Sequence, residues 1–179
     1  MRLKTWGACA LILAAIVAAN VSSSHWGPDA SIYNAFVFVG VVMTTKDYLY
    51  DAWGTRRLRN TFWLILAGSA LSFACAHWFA GGAPPEVVSK IALGSFAAFV
   101  VAETWDTIVY ALMRRRPWLE RSNTSNLIGA ALDSTVFVTI AFGWTWQIIF
   151  VQFCAKVAGG FIWSLVLAHT VEQREVVAA

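Results

Sequence analysis

Charged residues are scarce in this sequence, and their scarcity excludes most classes of soluble protein. Only 13% of its 179 residues are Asp, Glu, Lys or Arg, whereas 59% are hydrophobic; a soluble domain carries about 25% charged residues. The sequence also has only four prolines and three cysteines. Cys9, Cys75 and Cys154 lie in apolar stretches at unrelated spacings, which favours neither a disulfide framework nor a metal site. We expect them to act as small buried hydrophobic residues.

Several patterns that would indicate other classes of protein are absent from the sequence. It has no alternating segments of about ten residues, which a membrane β-barrel requires. The HExxH pattern of zinc proteases and the GxSxG and Ser/Lys patterns of hydrolases do not occur either. We therefore predict that the protein is not an enzyme.

Six apolar stretches approach or exceed the ~20 residues with which an α-helix crosses a bilayer. They cover roughly residues 5–23, 31–50, 60–79, 88–113, 125–145 and 147–169. The sequence predicts an all-α membrane protein, a six-transmembrane-helix bundle that forms one domain over residues 1–179. The first stretch follows Arg2 and Lys4 like a secretory signal, but its removal would leave an odd number of spans, so we favour a first transmembrane helix.

Basic residues are concentrated in the loops on one side of the predicted bundle. Ten of the 13 Lys and Arg lie there, and cytoplasmic loops are rich in these residues. We therefore expect both termini in the cytoplasm and the protein in the cytoplasmic (inner) membrane. This asymmetry accounts for the net charge of +3 without a nucleic-acid partner.

The partners that we expect are membrane lipid and a small-molecule substrate. The sequence does not decide whether the protein forms a homodimer.

Ionisable residues also occur within the apolar stretches, where each costs about 2.5–3.5 kcal/mol on insertion scales. At 1.5 Å of rise per residue, Glu103 lies ~16 Å from the inner boundary, and Asp47 and Asp133 lie ~12–13 Å from it. Lys156 lies ~13 Å from the outer boundary. Glu103 and Asp106 are one helical turn apart and repel each other, which a purely structural role does not explain. The sequence predicts a polar site near the midplane.

Helical periodicity adds residues that share a face with these charges, and such faces turn toward the interior of a bundle rather than toward lipid. The residues predicted to bind the substrate are Glu103, Asp106, Asp133, Lys156, Asn126, Asp47, Gln152, Phe137, Tyr110 and Trp105.

Some of these charges have a structural alternative. Asp133 and Lys156 can form a buried pair without a role in binding. Asp47 can pair with the arginines of the loop that follows it, Arg56 and Arg57, as we expect Asp51 to do. We expect the adjacent Lys46 to extend its ammonium group to the membrane interface.

Two motifs together resemble the queuosine precursor transporter family, also described as vitamin-uptake-transporter-like proteins. The segment AETWDTIVY matches the family's E-x-x-D-x-x-x-Y helix. The segment SNTSNLIGAALDSTVFVTIAF matches a Ser/Asn-rich helix start followed by D-S-x-x-F. The segment KDYLYDAWG is similar to the acidic end of the family's second span. The matching residues are Asp47, Glu103, Asp106, Tyr110, Asn126, Asp133, Ser134, Phe137 and Lys156.

The resemblance implies a secondary transporter or facilitator that imports 7-cyano-7-deazaguanine or a related 7-deazapurine, a precursor of the modified tRNA base queuosine. It implies no cofactor and no obligatory ATPase partner. The alternative is a substrate-binding membrane subunit of a multi-component vitamin importer. The residues fit a purine-like ligand, because a carboxylate accepts both N–H groups of a guanine-like edge and planar bases stack on aromatic rings. We expect Glu103 to bind that edge of the ligand. Lys156, Gln152 or Asn126 can donate a hydrogen bond to the ligand's O6, and Asp106 can carry a proton.

Overall fold

The computed structural model describes residues 5–78 and 84–178, and nearly all of them are helical. The helices are α1 (Thr5–Asn34), α2 (Gly40–Ala52), α3 (Arg57–Trp78), α4 (Pro85–Leu112), α5 (Trp118–Phe142) and α6 (Trp146–Ala178). A π-helical segment, Ala35–Val39, joins α1 to α2, and a short 3-10 turn joins α2 to α3. No strand occurs in the described ranges, so the all-α prediction is confirmed. Arg2, Lys4 and Ala179 lie outside these ranges, and the orientation of the termini stays a prediction.

Proline and glycine set the ends of the central helices. Helix α4 follows Pro84 and has Pro85 at its first turn, and α5 follows Pro117. Proline suits a helix start because its fixed φ matches the helix and its missing N–H would have no partner there. Helix α5 ends at Gly143, whose φ of +84° lies in the left-handed region that glycine adopts without strain.

Helix α1 reverses direction within its length. The Asn34 side chain donates hydrogen bonds from Nδ2 to the Ala19 carbonyl oxygen (3.1 Å) and to Ser23 Oγ (2.9 Å). Fifteen residues of straight helix would separate Ala19 from Asn34 by about 22 Å. The intervening sequence contains Gly27 and Pro28, and proline interrupts the hydrogen bonding of a helix interior. The arm before the reversal and the segment after it therefore lie side by side.

Five helices in the described part of the chain are long and apolar enough to cross a membrane. They are Thr5–Ser23, Gly54–Cys75, Pro85–Leu112, Trp118–Phe142 and Trp146–Ala168. Large hydrophobic side chains such as Phe62, Leu112 and Trp146 are exposed on their outer faces, as expected for contact with lipid. Five of the six predicted spans are thus present as candidate membrane helices. The predicted second span, 31–50, is not among them.

The second segment differs because α2 is enclosed by the rest of the bundle. Every residue from Gly40 to Tyr50 is buried, and α2 packs against α1, α3 and α6. A helix that contacts protein on all sides does not need an apolar outer face, and polar side chains at membrane depth turn toward such an interior. Thr44, Thr45 and Lys46 lower the hydropathy of α2 for this reason.

Glycines let α6 approach α2 and the π-helical segment at backbone distance. A Cβ on Gly159 would overlap the carbonyl oxygen of Phe36, and a Cβ on Gly40 would lie 2.6 Å from the carbonyl carbon of Gly159. Thr44 Oγ1 donates a hydrogen bond to the carbonyl oxygen of the next glycine, Gly160 (3.2 Å). π-Helical turns inside α-helices are often found at functional sites, and this one places two residues at the cavity described next.

Candidate functional site

A cavity lies between the helices, with a volume of about 80 Å³ available to the centres of water molecules. This is several times the ~10–15 Å³ that one water needs. Residues of α1 to α6 and of the π-helical segment contribute to its wall. Its polar lining consists of Asn20, Ser31, Ser72, Ser95, Glu103, Asp133, Gln152 and Lys156, and its bulkiest apolar lining residues are Phe38, Val42, Met43, Phe99 and Phe137.

A chain of hydrogen bonds around Lys156 forms one wall of the cavity. Lys156 Nζ makes an ion pair with Asp133 and donates hydrogen bonds to Ser134 Oγ (3.0 Å) and Gln152 Oε1 (3.1 Å). Gln152 Nε2 donates in turn to Ser31 Oγ (2.8 Å). The pair between Asp133 and Lys156 that the sequence offered as a structural alternative is therefore present. Because an ammonium group has three N–H donors, the three partners use the full capacity of Lys156, which leaves it unsuited to bind a ligand directly.

Lys46 lies at the centre of a second buried group of charges. Its Nζ makes an ion pair with Asp106 and lies 3.4 Å from Asp47 Oδ1 and 3.4 Å from Glu103 Oε2. We call these four residues the Lys46 cluster. Lys46 is only 2% exposed, so the expectation that its ammonium group reaches the membrane interface is wrong. The three carboxylates hold it inside the bundle.

Glu103 is the member of the Lys46 cluster that faces the cavity. Asp47 and Asp106 do not line that cavity. Asp47 accepts a hydrogen bond from Ser122 Oγ (2.7 Å) through Oδ2. Glu103 Oε2, Asp106 Oδ2 and Asp47 Oδ1 are buried and have no hydrogen-bond partner in the described chain. The two carboxylates of α4 therefore differ in position: Glu103 lies at the cavity and Asp106 lies behind it.

The remaining predicted polar residue of α5, Asn126, lies behind the cavity and beside the cluster. It donates from Nδ2 to Thr44 Oγ1 (3.3 Å) and Ser122 Oγ (3.5 Å), and Ser122 is the residue that contacts Asp47. Asn126 does not line the cavity. The structure thus associates Asn126 with the support of the cluster rather than with the cavity wall.

Tyr110 belongs to a separate network at the end of the bundle that carries the arginine-rich loops. Its hydroxyl donates to Asp51 Oδ2 (2.6 Å), and Arg121 contacts both groups while lying 4.2 Å from the centre of the Tyr110 ring. The expected pairing of Asp51 with Arg56 and Arg57 is wrong, because its partner is Arg121. This network ties α2, α4 and α5 together and places Tyr110 away from the cavity.

Trp105 is 52% exposed and does not line the cavity. It follows Glu103 by two residues, and two residues correspond to a rotation of about 200° around a helix. Because Glu103 faces inward, Trp105 faces the outer surface of α4. The structure therefore does not place Trp105 where it could stack on a ligand in the cavity. The aromatic rings at the cavity are those of Phe38, Phe99 and Phe137.

The sequence reasoning missed several residues of the site. Lys46 was missed because a lysine next to an acidic residue near a helix end often extends to the interface. Asn20 and Ser95 line the cavity and are joined by a hydrogen bond from Ser95 Oγ to Asn20 Oδ1 (3.0 Å). Asn20 had a detectable signal, since it is a strongly polar side chain within the first apolar stretch, and polar residues in a membrane helix usually face the bundle interior.

A family model described as Putative vitamin uptake transporter matches residues 33–169 of the chain. The chain belongs to the vitamin uptake transporter family. The family assignment confirms the resemblance to vitamin-uptake-transporter-like proteins found in the sequence and, with the apolar helices, indicates a multi-pass membrane transporter. Searches of curated proteins and of solved structures returned no match. In this vitamin uptake transporter, the matched region contains the whole Lys46 cluster and the pair of Asp133 with Lys156, whereas the arm with Asn20 precedes it.

Proposed function

We propose that this vitamin uptake transporter imports a 7-deazapurine queuosine precursor, such as 7-cyano-7-deazaguanine, across the cytoplasmic membrane as a secondary transporter or facilitator. The observation that carries the proposal is the position of Glu103. Its carboxylate belongs to a cavity-lining side chain and is buried, and its Oε2 accepts no well-formed hydrogen bond in the described chain, its only neighbouring cation being the shared Lys46 at 3.4 Å. A group of this kind suits a ligand that presents N–H donors.

The guanine-like edge of a deazapurine supplies such donors. Its N1–H and its 2-amino group point in the same direction, and a carboxylate accepts two parallel N–H bonds. Such hydrogen bonds to a charged group are worth roughly 1.5–3 kcal/mol each. The ligand edge would also bring Glu103 the donors that Lys46 alone does not provide, since Lys46 is shared among three carboxylates.

The aromatic rings at the cavity suit a flat ligand. Phe137 packs edge-to-face on Phe142, with ring centres 5.6 Å apart and planes at 89°, which fixes the orientation of its ring. Phe99 lines the same cavity from α4. Stacking of a base on an aromatic side chain contributes about 1–3 kcal/mol in nucleic-acid sites, so one or both phenylalanines can add to the binding by Glu103.

Gln152 is our candidate donor to O6 of the ligand. Its amide nitrogen donates one N–H to Ser31 and carries a second N–H. Of the donors first considered for O6, Lys156 is committed to three protein partners and Asn126 lies behind the cavity wall. Gln152 is therefore the donor that remains at the cavity.

The direct test is binding to the purified protein, measured as a shift of the thermal unfolding temperature. We expect 7-cyano-7-deazaguanine and guanine-like deazapurines to stabilise the protein and adenine to leave it unchanged, because adenine lacks the N1–H and the 2-amino group. Equal stabilisation by adenine would contradict the role given to Glu103. Absence of binding by the whole panel would contradict the substrate class.

Transport by the chain alone separates the proposal from its alternative. Proteoliposomes that contain only this protein should accumulate or equilibrate the ligand across the bilayer. Binding without any uptake would favour the alternative, a substrate-binding membrane subunit of a multi-component importer. In that case uptake would require a further, energy-supplying partner.

A further inference from the structure

The Lys46 cluster contains more negative than positive groups in the interior of the bundle. Asp47, Glu103 and Asp106 all surround the single ammonium group of Lys46, and no side chain of the four is more than 3% exposed. With all three carboxylates ionised, two negative charges would lack a counter-ion. An uncompensated charge in a low-dielectric interior is so unfavourable that such groups become neutral instead.

Three carboxylate oxygens of the cluster have few donors for the negative charge that they carry. Asp47 Oδ1, Glu103 Oε2 and Asp106 Oδ2 are buried and accept no well-formed hydrogen bond in the described chain; the first two share the single ammonium group of Lys46, at 3.4 Å each. Buried polar atoms without a partner are uncommon in folded proteins. A proton on one carboxyl group removes one charge and also creates an O–H donor for a neighbouring carboxylate.

Among the described residues, no cation besides Lys46 lies within ion-pair distance of the three carboxylates. From α5, Ser122 donates to Asp47, and Asp133 acts on Glu103 as a further negative charge. Lys156 of α6 is paired with Asp133, and Arg121 of α5 is paired with Asp51.

On α4, Tyr110 is the other titratable group close enough to Asp47 to interact with it, and it donates its hydroxyl hydrogen to Asp51. It therefore supplies neither positive charge nor a hydrogen bond to the cluster.

We propose that the Lys46 cluster is a proton-binding site, in which the three carboxylates share at least one proton at neutral pH, and that Glu103 links this proton to the cavity. The second half rests on the proposed transport function. A ligand that donates N–H groups binds ionised Glu103, so the proton then resides on Asp47 or Asp106. Ligand binding thus determines which carboxylate carries the proton. The proposal is that this proton and the ligand cross the membrane together, which permits uptake driven by an inward proton gradient.

The proton site is tested without any substrate by infrared spectroscopy of the purified protein at neutral pH. We expect a carbonyl-stretch band of a protonated carboxylic acid. Asp106→Asn should weaken this band, whereas Lys46→Met should strengthen it, because the loss of the cation requires an additional proton. Asp51→Asn is the matched control outside the cluster and should leave the band unchanged. If Asp106→Asn does not fold, Asp47→Asn replaces it.

Two outcomes of this experiment would overturn the proton site. One is the absence of a carboxylic-acid band in the parent protein at neutral pH. The other is a band that neither Asp106→Asn nor Lys46→Met alters, since the proton would then belong to another group.

The link to transport is tested in proteoliposomes with 7-cyano-7-deazaguanine, with and without an inward proton gradient. We expect the gradient to stimulate uptake by the parent protein, and uptake by Asp106→Asn to be equal under both conditions. Uptake by the parent protein that ignores the gradient overturns the coupling. If the deazapurine is not taken up under any condition, the proposed function fails, while the infrared measurement still decides whether the cluster binds a proton.

Discussion

Replacement of Lys156 by methionine probes the best-connected charge of the cavity wall. The variant removes an ammonium group that is paired with Asp133 and hydrogen-bonded to Ser134 and Gln152. Removal of one partner from a buried ion pair costs about 3–5 kcal/mol. We expect the lower part of this range, because the Asp133 side chain is 16% exposed and lines the cavity, where water can solvate it.

The predicted loss is measurable as a lower unfolding temperature in detergent, followed through the fluorescence of the ten tryptophans. In a protein of this size 1 kcal/mol corresponds to about 2–4 °C, so a loss of ~3 kcal/mol lowers the unfolding temperature by at least about 6 °C. The double variant Lys156→Met/Asp133→Leu should regain most of this loss, because it no longer contains an unpaired buried charge.

The two variants also separate the structural role of the pair from a role in binding. If the stable double variant still binds and transports the ligand, the pair is structural, which is the alternative that the sequence left open. A Lys156→Met protein that melts within about 1 °C of the parent would refute the reasoning. So would a double variant no more stable than the single one, since the unpaired charge would then not be the cause.

Two further predictions concern packing and stacking. Gly159→Ala should destabilise the protein by about 1–3 kcal/mol, the typical cost of overpacking, because its Cβ would overlap Phe36. Gly160→Ala is the control and should be tolerated, because a Cβ there lies 3.4 Å from its nearest neighbour. Thermal unfolding compares the two variants, and equal stability would contradict the close helix contact. Phe137→Ala should weaken ligand binding by about 1–3 kcal/mol, whereas Trp105→Ala should not change it; the reverse result in a binding titration would restore the stacking role to Trp105.

The membrane helices that contact lipid were predictable from the sequence, because their composition is fixed by the bilayer. Helix α2 was less predictable from the sequence. Its residues from Gly40 to Tyr50 are buried within the protein, and hydropathy measures compatibility with lipid rather than burial among other helices. The reversal within α1 depends on the contacts of Asn34 with Ala19 and Ser23 of the preceding arm, which no local pattern in the sequence contains.

The charged residues of the site were predictable as a set but not in their partners. Depth along each helix brought Asp133 and Lys156 together correctly. Periodicity placed Glu103 and Asp106 on one arc of α4, yet the structure divides them between the cavity and the interior of the cluster. That division depends on where Lys46 of a different helix lies, which no pattern within α4 contains.

The most direct test of the central claim is the affinity of the Glu103→Gln protein for 7-cyano-7-deazaguanine. Glutamine keeps one carbonyl acceptor but places an amino group against the donors of the ligand, so at least one charge-assisted hydrogen bond of about 1.5–3 kcal/mol is lost. We expect affinity to fall by roughly 10- to 100-fold. The same substitution at Glu120, an exposed residue paired with Arg116, is the matched control and should bind like the parent. A Glu103→Gln protein with parental affinity would contradict the account.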